Sequence, residues 1–344
     1  MKKAEVSARA AIDGGGGSAP RVSVLILSRG RLERLRGCLR SVLAQTFGDR
    51  EILVLANGCA ETAALVAAEF PAVRLIVEPQ NLGCAAGRNR VAREARGEYL
   101  LFLDDDGEIR AADVLLRLVE ALDARPRVGL ASMALYDADD DEPIGWRLRS
   151  AALSYACFHA SFAGGACLVR AEAFRDVGGY CDLFPGPGEE FDLAVRLYAA
   201  EWAVLHFPEV AFHHYVDKSE SDWMRLVALG YAHLQLTIWR LYPAPWHLLA
   251  SAKAFAAAIY VDIRLCGGRL LVFDVTQAWR NARAGLRARQ PVSRTALASL
   301  YAAKYYRIED WETLQRSRRG LLWRLPWLRL RRKSRGVPKL PAPE

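Results

Sequence analysis

The sequence predicts an α/β chain: an open, mostly parallel β-sheet flanked by helices, followed by a C-terminal helical appendage. Three observations predict it. Short, almost continuous apolar runs alternate with stretches whose apolar residues recur at helical spacing. Strands read as unbroken apolar runs when helices cover both faces of a parallel sheet. From about residue 219 the alternation stops, and the pattern turns helical and rich in Ala, Leu, Trp and Arg. Composition agrees: of 344 residues, 52% are apolar and 25% charged, which is globular usage and excludes a wholly disordered chain. At ~150 residues per domain, the length suggests about two domains, or one with an appendage.

Residues 1–21 contain GGGGSAP at 14–20 and read as a flexible leader. They lack the apolar core of a secretory signal. No run approaches the ~18 apolar residues needed to span a bilayer. The nearest, residues 254–261, is bounded by Lys253 and Asp262. A cytoplasmic chain, peripheral on the inner face of the membrane, is expected. Residues 22–27 read as a strand, and Leu32, Leu35, Leu39, Val42 and Leu43 as one helical face. Strands at 51–55, 73–77 and 99–103 alternate with helices at 62–70 and 85–95. The middle is mixed: strand 166–169, helix 171–177, a turn at 178–180, helix 191–200, and strands 203–207 and 210–212. The expected units are a sheet domain over 22–218, a helical region over 219–310 and a basic, Trp/Arg-rich tail over 311–344.

The formal charge is +8, and residues 311–344 alone hold ten Lys/Arg against two Glu. The rest is neutral, which disfavours a nucleic-acid-binding body and points the tail at an anionic membrane surface. Seven scattered cysteines without a CxxC pair exclude a disulfide framework and a Cys-based zinc site. There is no GxxxxGK[ST] loop, and no GxGxxG between the first strand and helix, so no glycine cradle handles phosphates.

Three constellations carry chemistry. Asp104-Asp105-Asp106 follows the fourth strand. Crowded carboxylates repel unless a cation joins them, and hard oxygen ligands suit Mg²⁺ or Mn²⁺ with substrate phosphates. Glu189-Glu190-Phe191-Asp192 opens a helix after a Pro/Gly turn. Such acids complement a helix dipole, and one held rigidly there could also serve as a general base. His213-His214 ends a strand, where neighbours face opposite ways, so one imidazole can complete an oxygen-rich metal site.

In order along the chain come VSVLILSRGR at 22–31, SVLAQTF at 41–47, EILVLANG at 51–58, NLGCAAGRN at 81–89 and GEYLLFLDDD at 97–106. GGACLVRAEAF at 164–174, VGGY at 177–180, GEEFDLAVRL at 188–197 and FPEVAFHH at 207–214 follow. With these nine blocks the chain from about 22 to 215 resembles a family 2 glycosyltransferase of the GT-A fold. The resemblance implies an inverting transfer from a nucleotide-diphospho-sugar, of hexosyl or deoxyhexosyl type, to a glycan or lipid-linked hydroxyl acceptor. It assigns Ser28, Asn57, Asn81, Arg88, Asn89, Asp104 and Asp105 to the nucleotide sugar, and Asp106 and His214 to Mg²⁺ or Mn²⁺. Glu190 takes the place of the catalytic base, with Gly164, Gly165, Glu189 and Asp192 as acceptor or supporting positions. Cell-envelope or extracellular glycan synthesis is the setting it implies.

The chain departs from the family at Ala56, where Asp is usual, at Gly30, where Asn is usual, and at Glu190, where Asp is commoner. The first two border the base pocket, and the third keeps the carboxylate. Two rivals remain: a non-catalytic GT-A binding or scaffold protein, and a metal-dependent nucleotidyltransferase. The short Ser28-Arg29-Gly30-Arg31 turn argues against the second. Trp223, Trp239, Trp246, Trp279, Trp311, Trp323 and Trp327 read either as core of a helical appendage or as a platform facing a lipid-linked acceptor.

Overall fold

The computed structural model describes residues 19–144, 154–184, 186–216, 220–269 and 271–321. Most of the leader, and the tail beyond Leu321 with Trp323 and Trp327, lie outside the described residues. Among the described residues, nine strands form one mixed sheet flanked by helices.

The N-terminal half follows the expected alternation. β1 (Val22–Ser28), β2 (Arg50–Asn57), β3 (Arg74–Glu78) and β4 (Tyr99–Asp104) are parallel and ordered β3-β2-β1-β4. Between them run α1 (Leu32–Leu43), α2 (Ala60–Glu69) and α3 (Cys84–Ala92). α1 buries Leu35, Cys38, Leu39 and Val42, one stripe at helical spacing. β1 and β4 are buried on both faces, which explains their unbroken apolar runs. β2 lies on one side of β1 and β4 on the other, so a topological switch point falls between β1 and β4. Leu27 pairs with Asp104 there, which sets Ser28 and Asp104 together at the carboxyl ends where open α/β sheets bind ligands.

Beyond β4 the sheet becomes mixed. β8 (Ala166–Arg170) is antiparallel to β4, and β6 (Val128–Asp137) is antiparallel to β8. β9 (Ala203–His214) runs parallel to β6, and β5 (Gly107–Glu108) and β7 (Cys157–Phe158) pair with β9. The expected strands at 203–207 and 210–212 are one strand. Its register against β6 jumps from Met133–Phe207 to Ala134–Ala211, and Pro208 sits in the resulting irregularity, where its missing N–H costs no ladder bond. β6 was not legible as a strand. Its residues are buried from Val128 to Leu135 with Ala and Ser among them, so no alternation marks it.

α4 (Val114–Asp123), α5 (Ala171–Asp176) and α6 (Glu189–Ala199) complete the sheet region. The C-terminal part is helical: α7 (Glu220–Leu241), α8 (Trp246–Val261), α9 (Leu271–Arg287) and α10 (Arg294–Tyr305) fall in the expected helical region, and α11 (Trp311–Leu321) falls in the stretch expected as tail. A π-helical turn at Asp262–Cys266 follows α8. α8 and α9 pack on α7, while α10 packs on α6 and α11 on α10. The apolar core runs unbroken from β1 and β4 through Leu193 and Leu197 to Leu236, Leu297 and Leu300. At Gly285 a Cβ would stand 2.5 Å from the Leu236 carbonyl, so glycine permits the close crossing of α7 and α9.

Asp192 joins the two parts. Its fully buried carboxylate accepts from Arg196 Nε at 2.7 Å and from Arg240 of α7 at 2.6 Å. Arg196 also donates to the Val177 and Gly179 carbonyls. Truncating Asp192 strands two guanidiniums in a low-dielectric region. Asp192→Ala is expected to lower the unfolding free energy by about 3–5 kcal/mol, the usual cost of breaking a buried pair. Urea denaturation followed by circular dichroism measures this.

Candidate active site

The site forms where β4 ends. Pairing of β5 with β9 sets Gly107 opposite His214, and the Tyr215 N–H donates to the Asp106 carbonyl at 2.8 Å. Gly107 is needed for this approach, since a Cβ there would stand 2.3 Å from the Phe212 ring. The result brings the acidic turn to the end of β9. Candidate ligand atoms of Asp104, Asp106 and His214 all lie within 4.8 Å of one another, and His214 Nε2 is 3.1 Å from Asp106 Oδ1. His213 points the other way, stacking on Tyr136 and facing Asp141, as strand alternation requires. Two carboxylates and an imidazole are a donor set that fits Mg²⁺ or Mn²⁺. Asp104, expected at the nucleotide sugar, thus groups with Asp106 and His214.

Arg31, which the sequence reading passed over, meets the same acids. Its guanidinium contacts Asp106 and lies 2.6 Å from Asp105 Oδ1. Asp105 is fully buried, and burial pushes it up to about 6 against the pull of Arg31 and Ser28. Burial also acts on Asp106, but His214 and Arg31 outweigh it and hold that carboxyl below its ordinary value. The signal in the sequence was an Arg just beyond β1, the strand that pairs with β4 at the switch point.

A second acidic pair faces this cluster through Arg88. Only 5% exposed, Arg88 donates to Asp104 Oδ1 at 2.9 Å and to Glu189 Oε1 at 3.0 Å. Glu189 is 2% exposed. Burial and the adjacent Glu190 push its carboxyl well above the ordinary carboxylate range, against the pull of Arg88. Glu189 therefore does more than complement the helix dipole. Glu190 is partly exposed, and its Oε2 accepts from the Gly188 N–H at 3.2 Å. Gly188 adopts φ +119°, a conformation that favours glycine and turns the chain into α6.

Two glycines make room between these acids. A Cβ on Gly164 would lie 2.7 Å from an Arg88 nitrogen and 2.9 Å from Glu190 Oε1, and one on Gly165 only 1.9 Å from Asp104 Cγ. Gly165 also accepts the Asp104 N–H at 3.0 Å.

The asparagines hold the rim. Asn57 Nδ2 donates to Asn81 Oδ1 at 2.9 Å, and Asn57 Oδ1 accepts from the Leu82 N–H at 2.9 Å, shaping the turn before α3. Asn89 grips the 180–182 loop: it donates to Asp182 at 2.7 Å and accepts from the Tyr180 N–H at 2.8 Å. Ser28 is buried beside Asp105. Asp192 faces Arg196 and Arg240, away from the acidic pair. Next to Glu189-Glu190, Gly188 and Phe191 open onto a 340 Å³ cleft lined also by His159, Ser161, Tyr231, Leu234 and Lys304. The arrangement sets a donor group for a cation, guanidiniums that can meet an anion and a partly exposed carboxylate that can accept a proton near one another.

Gly165→Ala tests the packing around Asp104. The added methyl must drive that carboxylate out of the cluster. The chain is expected to fold while Mn²⁺ affinity falls by about tenfold or more, the scale of disturbing a ligand's support. Isothermal titration with Mn²⁺ reads it.

Comparison with known proteins fits this geometry. Residues 23–177 match the family described as Glycosyl transferase family 2. The O-antigen biosynthesis protein RfbC of Myxococcus xanthus is 27% identical over 225 residues, covering 58% of this chain and 18% of that protein. The chain thus spans a small part of the length of such curated relatives. A mannosyltransferase from Pyrobaculum calidifontis, solved with GDP-Man and Mn²⁺, superposes with TM-score 0.52 at 19% identity, over 83% of this chain and 92% of that one. The 1–349 segment of S. aureus TarS does so with TM-score 0.54 at 15% identity, over 87% and 91%. These likenesses show the fold. Most of the GT-A-like sheet, with the acidic turn at its switch point, falls within the same segment, residues 23–177, that matches the model of glycosyl transferase family 2.

Proposed function

We propose that the chain moves a hexosyl or deoxyhexosyl group from a nucleotide-diphosphate donor to a hydroxyl of a glycan or lipid-linked acceptor, inverting the anomeric centre. The observation that carries this reading is Arg88, which joins the Asp104–Asp106–His214 cluster to Glu189-Glu190 across one small space. The mannosyltransferase solved with GDP-Man and Mn²⁺ supports a nucleotide-sugar donor and a divalent cation. The RfbC likeness supports polysaccharide assembly.

Asp106 and His214, with Asp104, would hold Mg²⁺ or Mn²⁺. When bound, the cation supplies charge neutralisation to the departing diphosphate. Arg31 offers a further fixed positive charge to that leaving group. Ser28, Asn57, Asn81 and Asp105 border the nucleotide, and Asn89 supports the loop that faces it. Glu190 takes the acceptor's proton as its oxygen bonds to the anomeric carbon and the bond to the diphosphate breaks. Glu189 is buried against Arg88, which leaves the partly exposed Glu190 as the carboxylate of the pair open to an acceptor. Gly164 and Gly165 keep the space open, and the neighbouring cleft receives the acceptor.

Two experiments test this. Glu190→Gln should bind donor nearly as wild type, by calorimetry, and transfer about 10²–10⁴ more slowly, the usual contribution of a positioned base. Transfer near the wild-type rate would remove Glu190 from the role. Asp106→Ala should lose most donor binding and turnover, and wild type should stop in excess chelator. Full activity without divalent cation would overturn the metal assignment.

A further inference from the structure

We propose that the outer faces of α8 and α9 dock on an anionic lipid bilayer. α8 is apolar nearly all round, and such a helix is ordinarily enclosed. Here only one side is covered, by burial of Ala254 and Ala258. Leu249, Ala252, Ala256, Tyr260 and Ile263 are exposed along one line at helical spacing, with Leu248 beside them. Tyr260 is 64% exposed. On α9 the exposed line is Val275, Trp279 and Leu286, with Trp279 60% exposed. Most of the other tryptophans described in this region have a partner: Trp239 donates to Ser251, and Arg127 and Arg294 lie over Trp311 and Trp246.

The charge around this face has one sign. Lys253, Arg264, Arg269, Arg280, Arg283 and Arg287 are all exposed. Residues 246–290 contain seven Lys/Arg and only two acidic residues, of which Asp262 is buried. Arg283 lies 5.4 Å from the Trp279 ring centroid, a cation beside an amphipathic aromatic. Among the described residues no helix is long and apolar enough to cross a membrane, so these helices lie on a surface rather than span it. Trp and Tyr favour the headgroup zone, and Lys and Arg are drawn to anionic lipid. A second copy is the poorer occupant, because it would set the same cations face to face. The chain also continues past Leu321 with seven Lys/Arg and one Glu, charge of the same sign. A lipid-linked acceptor would give this face its use, but docking itself needs no catalysis.

The test uses the full chain and sedimentation with two vesicle types, pure phosphatidylcholine and phosphatidylcholine with 30% phosphatidylglycerol. Wild type should pellet with the anionic vesicles and far less with the neutral ones. The double variant Tyr260→Ser, Trp279→Ser should keep its thermal midpoint and lose about tenfold or more of that binding. The loss should persist when Arg331, Arg332 and Lys333 are replaced by Gln, which separates the face from the tail. Unchanged pelleting of the double variant would overturn the proposal. So would a wild-type dimer that the variant splits without altering vesicle binding. Vesicle binding is measured without donor or acceptor. If it depends on Tyr260 and Trp279 while no sugar is transferred, the surface stands and the transferase reading falls.

Discussion

The site depends on the buried Arg88 guanidinium. Asp104 comes from the end of β4 and Glu189 from the start of α6, far apart in sequence. Both belong to a crowded acidic region, where a cation set between carboxylates offsets their mutual repulsion. Arg88, on α3, meets both within 3.0 Å and so ties the end of the parallel sheet to the mouth of the mixed half. Arginine suits this because its planar fork presents several donors in fixed directions and stays charged when buried. The stabilisation of such a pair is offset by desolvation, so its main effect is placement. It holds the metal-type cluster and Glu190 at the two ends of one short span.

Small residues make that placement sterically possible. Gly164 and Gly165 face Arg88, Glu190 and Asp104 at distances that exclude a side chain, and Gly107 lets the acidic turn meet β9. The same acids take different roles because their surroundings differ. Asp105 is buried beside Arg31, Asp106 is bound by His214, and Glu189 is held by Arg88. Adjacent carboxylates in the sequence thus become chemically distinct groups.

The C-terminal helices are coupled to this centre. Asp192, two residues after Glu190, is gripped by Arg240 of α7. α7 also supplies Tyr231 and Leu234 to the cleft beside Phe191, and supports α8 and α9. A surface on α8 and α9 would therefore be continuous, through one packed helix, with the place where an acceptor would enter.

By itself the sequence determined the alternating parallel half, the helical C-terminal part, and the acidic turn, acidic pair and paired histidines. Those features are local: periodicity, burial on both faces and charge at an element's end can be read without knowing neighbours. Which of His213 and His214 turns toward Asp106 was decided by the β5–β9 pairing. β6 escaped because its small buried residues carry no period, and Pro208 divided β9 in the reading because the bulge that accommodates it is a property of the ladder. Arg31 beside Asp105, Arg88 between Asp104 and Glu189, and Asp192 against Arg240 are contacts between separate elements, 16 to 101 residues apart in the chain. Nothing in the local pattern distinguishes Glu189 as a helix-end acid from Glu189 as a buried partner of Arg88. Long-range juxtaposition in a low-dielectric interior decides those roles, because there each charge must find its partner in space rather than in sequence.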